Sequence, residues 1–194
     1  MQTAYIAMGA NLASWAGPPE VTMAAAASQM ANLGRVRRRS SLYSTEPVGL
    51  KGQPRFLNAV IELETDLKPR DLLERLLSIE KEYGRDRVTA VPNGPRTLDL
   101  DILLYGDFQV SEPGLEIPHP RAAERGFVLV PLNEIAPKLI IPGHSGTVTQ
   151  LLQKLLRNRK DDTDAVVRVE SDAWRAGAAV DTPDSVAHLR PGGA

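Results

Sequence analysis

The sequence predicts an α+β domain of ferredoxin-like type: an α/β sandwich whose mostly antiparallel sheet is flanked by helices. Three observations carry that reading. Short runs of apolar or β-branched residues alternate with two stretches of helical periodicity. Clusters of Gly and Pro punctuate them. The resulting order over residues 4–105 is β-α-β-β-α-β, that of a split βαβ unit.

Residues 4–8, Ala-Tyr-Ile-Ala-Met, form a short apolar strand ending in a turn at Gly9-Ala10-Asn11. Pro18 and Pro19 open an alanine-rich helix that Gly34 closes after Leu33. Val36 to Thr45 reads as one strand, with Arg37, Arg38 and Arg39 on a solvated edge. Residues 46–54, with two Pro and two Gly, must be a loop. Phe56 to Leu63 alternates as a strand. Pro69 starts the clearest helix, with Leu72, Leu73, Leu76, Ile79 and Tyr83 at helical spacing. After an irregular loop at 85–95, Thr97 to Tyr105 is a strong strand. Phe108–Val110 and Leu115–Ile117 suggest a hairpin around Pro113-Gly114. Arg121 to Arg125 suggests a short helix, and Phe127 to Leu132 another strand. Thr147 to Arg157 is a final helix, and Val166 to Val169 is a candidate strand. At about 150 residues per domain, the length gives one domain plus extra chain. The composition shift near Asn158 sets residues 1–157 apart from a partly flexible extension, 158–194.

Composition narrows the function classes. The 23 Lys and Arg nearly cancel the 24 Asp and Glu, and a net charge of −1 argues against a duplex-binding protein. The absence of Cys excludes disulfides, thiol catalysis and cysteine-ligated metals. No run approaches the ~18 apolar residues of a membrane span, and the N-terminus lacks a secretory pattern. A cytoplasmic protein, engaging neither membrane nor nucleic acid, is expected.

The strongest chemical signal is the strand at 97–105. Alternation puts Leu98, Leu100, Ile102 and Leu104 on one face and Asp99 and Asp101 on the other, roughly 7 Å apart. Paired carboxylates fixed opposite large aliphatics suggest a cation site. Magnesium takes one or two carboxylates and completes its shell with water and phosphates, although the spacing leaves other ions open. Arg85, Arg87, Arg96, Arg121 and Arg125 flank this segment, and guanidinium groups suit phosphate. His119 sits between two prolines. Asn58, in an apolar strand, shares a face with Phe56. No P-loop, Rossmann turn or nucleophile elbow occurs.

The segment Gly94-Pro-Arg-Thr-Leu-Asp-Leu-Asp-Ile-Leu-Leu-Tyr-Gly106 resembles the signature of the 6-hydroxymethyl-7,8-dihydropterin pyrophosphokinase family. Supporting segments follow in the family's order: Tyr5-Ile-Ala-Met-Gly-Ala-Asn-Leu12, Ser41-Leu-Tyr-Ser-Thr-Glu-Pro-Val-Gly49, Gln53-Pro-Arg-Phe-Leu-Asn-Ala59, Ile79-Glu-Lys-Glu-Tyr-Gly-Arg-Asp-Arg87, Ile117-Pro-His-Pro-Arg121 and Arg125-Gly-Phe127. The resemblance spans roughly residues 3–157. It implies a monomeric ferredoxin-like enzyme of folate biosynthesis. Such an enzyme moves the β,γ-pyrophosphoryl group of ATP to the pterin hydroxymethyl oxygen and releases AMP.

By the same resemblance, Asp99 and Asp101 hold two magnesium ions and form the catalytic set with Arg85 and Arg96. The pterin lies between Phe56 and Phe127 and meets Asn58, Thr45 and Val48. ATP meets Glu80, Arg85, Arg87, Arg96, His119 and Arg125, with Leu73 and Ile102 near the base. Loops 46–54 and 85–95 would act as lids that exclude water.

The chain also departs from the family pattern. Residues 88–94 lack its usual Lys and Trp, Asn93 standing just before the Gly-Pro-Arg. Pro120 and Leu77 replace a Tyr and a polar residue found in some members. Two other readings fit parts of the sequence: an RNA-binding module of the same topology, and a pterin binder that has lost catalysis.

Overall fold

A computed structural model describes residues 1–50, 52–87, 91–158 and 166–176. The main sheet contains β1 (Gln2–Ala10), β2 (Arg35–Arg39), β3 (Leu42–Thr45), β4 (Phe56–Thr65), β5 (Asp99–Tyr105) and a late strand, β8 (Val167–Val169). Its order is β5-β1-β4-β3-β8, with β2 also on β4, and every pairing is antiparallel. This is the strand order of the split βαβ unit. Strands β6 (Val110–Glu112) and β7 (Leu115–Ile117) form the separate hairpin around Pro113-Gly114, with the first strand at Val110–Glu112 rather than the expected Phe108–Val110.

Alternation along the central strands makes two cores. Ala4, Ile6 and Met8 of β1, Ala59, Ile61 and Leu63 of β4, and Leu100 and Ile102 of β5 face one way. They pack on α1 (Pro19–Gln29) and α2 (Pro69–Glu82), both of which carry proline in the first turn, where no N–H is needed. A 3-10 turn at Met30–Asn32 ends the first helical segment. The opposite face, with Tyr5, Ala7 and Val60, packs on α3 (Gly126–Ile135) and α4 (Val148–Asn158).

Five expectations are corrected. Leu104 does not share a face with Leu100 and Ile102. A register shift opposes Tyr5 to Leu104 and Ile6 to Ile102, so Leu103 is an extra residue, and both Leu103 and Leu104 join the α3 core. Phe127 to Leu132 is helical, not a strand. A short apolar run does not distinguish the two, whereas the buried spacing of Val128, Leu129, Leu132 and Ile135 is that of a helix. Residues 121–124 form turns rather than a helix. The strand expected over 36–45 is split: the Val60 N–H donates to Ser40 Oγ at 2.9 Å, displacing one backbone acceptor from the ladder. In addition, β1 continues through Gly9 and Ala10 instead of turning there.

The segment set apart beyond residue 157 returns to the sheet. Strand β8 pairs with β3, and α5 (Asp172–Ala176) lies against α1. Trp174 is buried, donates its indole N–H to the Ser40 carbonyl at 2.9 Å, and stacks under the Arg39 guanidinium at 3.8 Å. Residues 159–165 and 177–194, on which the expectation of flexibility falls, lie outside the described residues. Among the described residues no helix is long and apolar enough to cross a membrane.

Trp174→Ala is expected to cost about 3 to 5 kcal/mol, because it removes a buried ring and a hydrogen bond together; urea unfolding measures it. Tyr43 gives a pH signature. Burial, reinforced by its 2.9 Å hydrogen bond to Glu134, pushes the phenol up to about 12. The fold therefore favours the neutral form. That stability is complete below the ordinary tyrosine value of about 10 and is lost as the pH rises through the folded value. The difference in unfolding free energy between wild type and Tyr43→Phe should shrink across that window, and a constant difference would contradict the assignment.

Candidate active site

The site is built by strand register. Gly9 of β1 lies opposite Asn58 of β4 on one side and Asp99 of β5 on the other; Ala7 lies opposite Asp101. Cross-strand partners share a face. Asn58, Gly9 and Asp99 thus form a polar row on the same face as Val60 and the α3 core. At this end of the strands the row floors a cavity of about 250 Å³. Gly9 carries no side chain to fill it, and a Cβ there would stand 3.4 Å from Asn58 Oδ1.

Of the residues singled out from the sequence, Thr45, Val48, Phe56, Asn58, Arg96, Asp99, Asp101, His119, Arg125 and Phe127 line this cavity. The side chain of Asn58 donates to Thr45 Oγ1 at 2.8 Å, which fixes the amide against β3. Arg96 reaches Asp99 Oδ2 at 2.9 Å and lies 4.9 Å from the Phe56 ring; Arg125 lies 5.4 Å from the Phe127 ring. Arg85 and Arg87 approach Asp99 Oδ1, each at 3.6 Å.

Leu73 and Ile102 stand apart from the cavity, packed in the α1–α2 core. Glu80 is also buried, 1% exposed, with its oxygens engaged by Arg87 at 2.6 and 2.7 Å and by the Leu100 N–H at 2.7 Å. Its place is beneath Arg87, tying α2 to the start of β5.

The charges are arranged for a charged ligand. Burial, followed by the neighbouring Asp101 carboxylate, raises the Asp99 pKa against the opposing pull of Arg96, Arg85 and Arg87. The Asp101 carboxylate makes no hydrogen bond or ion pair among the described residues. The Nε atoms of Arg85 and Arg96 are buried and without a hydrogen-bond partner there. Burial, with Arg125 nearby, lowers the His119 pKa, although Asp101 pulls the other way. Its Nδ1 accepts from the Arg121 N–H at 3.1 Å, so the neutral ring presents an Nε2–H donor.

Among the described residues no group of three or more His, Cys, Asp or Glu could form an all-protein metal cage. Two carboxylates beside unused guanidinium donors do fit magnesium held jointly by protein and phosphate.

Sequence reasoning left Gly9, Glu46 and Asn93 unassigned and gave Arg121 only a general suitability for phosphate, yet all four line the cavity. The strand pairing exposes Gly9. Asn93 has φ 56°, a left-handed conformation that Asn tolerates better than most residues.

Half-buried paired carboxylates among arginines, at one end of an antiparallel sheet, are the arrangement of an enzyme that handles phosphate groups. The chain belongs to the 7,8-dihydro-6-hydroxymethylpterin-pyrophosphokinase (HPPK) family, whose sequence profile matches residues 5–137. It is 46% identical over 156 residues to the 2-amino-4-hydroxy-6-hydroxymethyldihydropteridine pyrophosphokinase of Haemophilus influenzae, covering 79% of this chain and 93% of the relative. It is 41% identical over 172 residues to the enzyme of the same name from Methylorubrum extorquens, covering 88% and 100%. Among solved structures it is similar to the wild-type HPPK-DHPS chain of Plasmodium falciparum, with a TM-score of 0.65 at 14% identity. That match covers 80% of this chain and 43% of the other, and it shows the fold.

Glu80→Ala is expected to cost about 1 to 3 kcal/mol, since it leaves the buried Leu100 N–H without an acceptor and half-exposed Arg87 without its nearest carboxylate. Glu80→Gln keeps an acceptor for Leu100 and should lose less; equal losses in urea unfolding would contradict this account.

Proposed function

We propose that this chain transfers the two terminal phosphoryl groups of ATP, as one unit, to the hydroxymethyl oxygen of 6-hydroxymethyl-7,8-dihydropterin. The cavity floored by Asn58, Gly9 and Asp99 is where this takes place. The observation that carries the reading is the juxtaposition in one cavity of a carboxylate pair, arginines and two aromatic rings.

In the reaction a bond forms between the pterin oxygen and the β-phosphorus. The bond from that phosphorus to the oxygen bridging toward the α-phosphorus breaks, AMP leaves, and the hydroxyl proton is lost. Phosphoryl transfer of this kind asks a protein mainly for positioning and charge neutralisation.

Phe56 and Phe127 clamp the pterin faces, and Asn58, steadied by Thr45, reads its edge. The wall at Val48 completes the pterin end. Arg96 and Arg125 each stand between an aromatic ring and the carboxylate floor, so they face the junction where phosphate meets pterin. Arg85 and Arg87 support Asp99 from behind, with Arg87 fixed by Glu80. His119 offers its Nε2–H to a phosphate oxygen. Asp99 and Asp101 are the ligands for two magnesium ions. When bound, these ions supply charge neutralisation at the phosphate oxygens. The same reading takes the chain as a cytoplasmic monomer without a nucleic-acid partner.

Product analysis with ATP, magnesium and the reduced pterin tests the function. AMP and a pterin diphosphate are expected; ADP would indicate transfer of a single phosphoryl group and sink the reading. Pterin binding without turnover would favour a non-catalytic binder instead. Asp99→Ala and Asp101→Ala should each lower kcat by at least about 100-fold, as expected when charge stabilisation of the transition state is removed. Near-normal turnover in either variant would overturn the metal assignment.

A further inference from the structure

Asn11 follows β1 directly and is 3% exposed, yet it does not line the cavity. Its side chain joins two segments that do contribute to it. Nδ2 donates to Gln53 Oε1 at 3.0 Å and to the Pro54 carbonyl at 3.0 Å, while Oδ1 accepts the Arg96 N–H at 2.8 Å. The Asn11 and Leu12 N–H groups both donate to the Arg96 carbonyl at 3.0 Å. Gln53 extends the network, donating Nε2 to the carbonyls of Leu50 at 2.9 Å and Asn93 at 2.8 Å.

One buried amide therefore fixes the approach to Phe56 from one side and the backbone of Arg96 from the other. The Arg96 guanidinium bridges the same gap on the cavity side, reaching Asp99 and lying over Phe56. Only a carboxamide supplies two donors and an acceptor on so short a stem. Aspartate would lose both donors, and an aliphatic side chain would lose all three bonds.

We propose that Asn11 is a positioning residue for pyrophosphoryl transfer. It sets the spacing between the pterin wall at Phe56 and the phosphate floor at Arg96 and Asp99. The inference rests on the function assigned above. Its physical basis is the steep dependence of in-line transfer on the separation of the reacting atoms, where a shift of about 1 Å costs up to about 100-fold. Neither segment alone needs Asn11 to hold its own substrate; the reaction needs both in register.

Steady-state kinetics on folded protein tests this, with unfolding midpoints measured alongside. Wild-type AMP formation comes first, and its failure would count against the assigned function rather than against Asn11. Asn11→Ala is expected to lower kcat by about 10- to 100-fold, while the equilibrium affinity for each substrate alone stays near the wild-type value. Gln53→Ala, on an outer loop, keeps the Arg96 link. It should lower kcat by a smaller factor, about 3- to 10-fold, and leave the affinity for each substrate alone near the wild-type value. Because the contacts act as one unit, the double variant should be no slower than Asn11→Ala.

Three results would overturn the proposal. The first is an Asn11→Ala protein with a lowered unfolding midpoint but wild-type kcat and KM, which would mark a purely structural role. The second is additive losses in the double variant. The third is a Gln53→Ala protein with a wild-type kcat, a result that decides the matter even if Asn11→Ala does not fold.

Discussion

Strand β1 lies between β4 and β5, and its register against both governs the arrangement at the cavity. Alternation sends Ile6 and Met8 into the α1–α2 core and turns Ala7 and Gly9 to the other face. Small residues in the middle strand let the side chains of the outer two, Asn58 and Asp99, stand as walls of a trough. A slip of one residue would send Asp99 and Asp101 into the apolar core and present Leu100 and Ile102 to the ligand. The hydrophobic demand of the α1–α2 face therefore holds the carboxylates in place. Stability and chemistry are specified by the same alternation, read from opposite sides of one strand.

Much of this was legible in the residues themselves. The Leu-Asp-Leu-Asp alternation announced both a buried face and a polar one, and the helix at 69–82 declared itself through its leucines. Other features needed the third dimension. The extra residue at Leu103 leaves no mark in a run of aliphatics, because either face accepts leucine. The helix at 126–135 is apolar around most of its first turns, which hides its period inside a strand-like run. The network at Asn11 was invisible for a different reason. Its partners lie 42, 43 and 85 positions away, and no local pattern marks a residue whose importance is entirely long-range. Glu80 shows the converse: the family resemblance sets it against ATP, yet its oxygens are engaged by Arg87 and the Leu100 N–H inside the protein.

The near-zero net charge conceals a strongly uneven field. Arg85, Arg87 and Arg96 converge on one carboxylate, while Asp101 remains without an ionic partner among the described residues. Such a cluster is costly to assemble in a partly buried place. Here the cost is offset locally by alternating sign, with cations facing Asp99 and the second carboxylate left to offset a ligand-borne cation. The arrangement suits a substrate that carries phosphate and metal together better than either one alone.

The pairing of β8 with β3 also bears on how the molecule is made. Residues 167–176 leave the ribosome after every other described element, so the outer edge of β3 stays open until they emerge. An open edge is a template for pairing with a neighbouring nascent chain. The late arrival of one strand, with Trp174 seated behind it, thus marks the moment at which that edge of the newborn protein is covered.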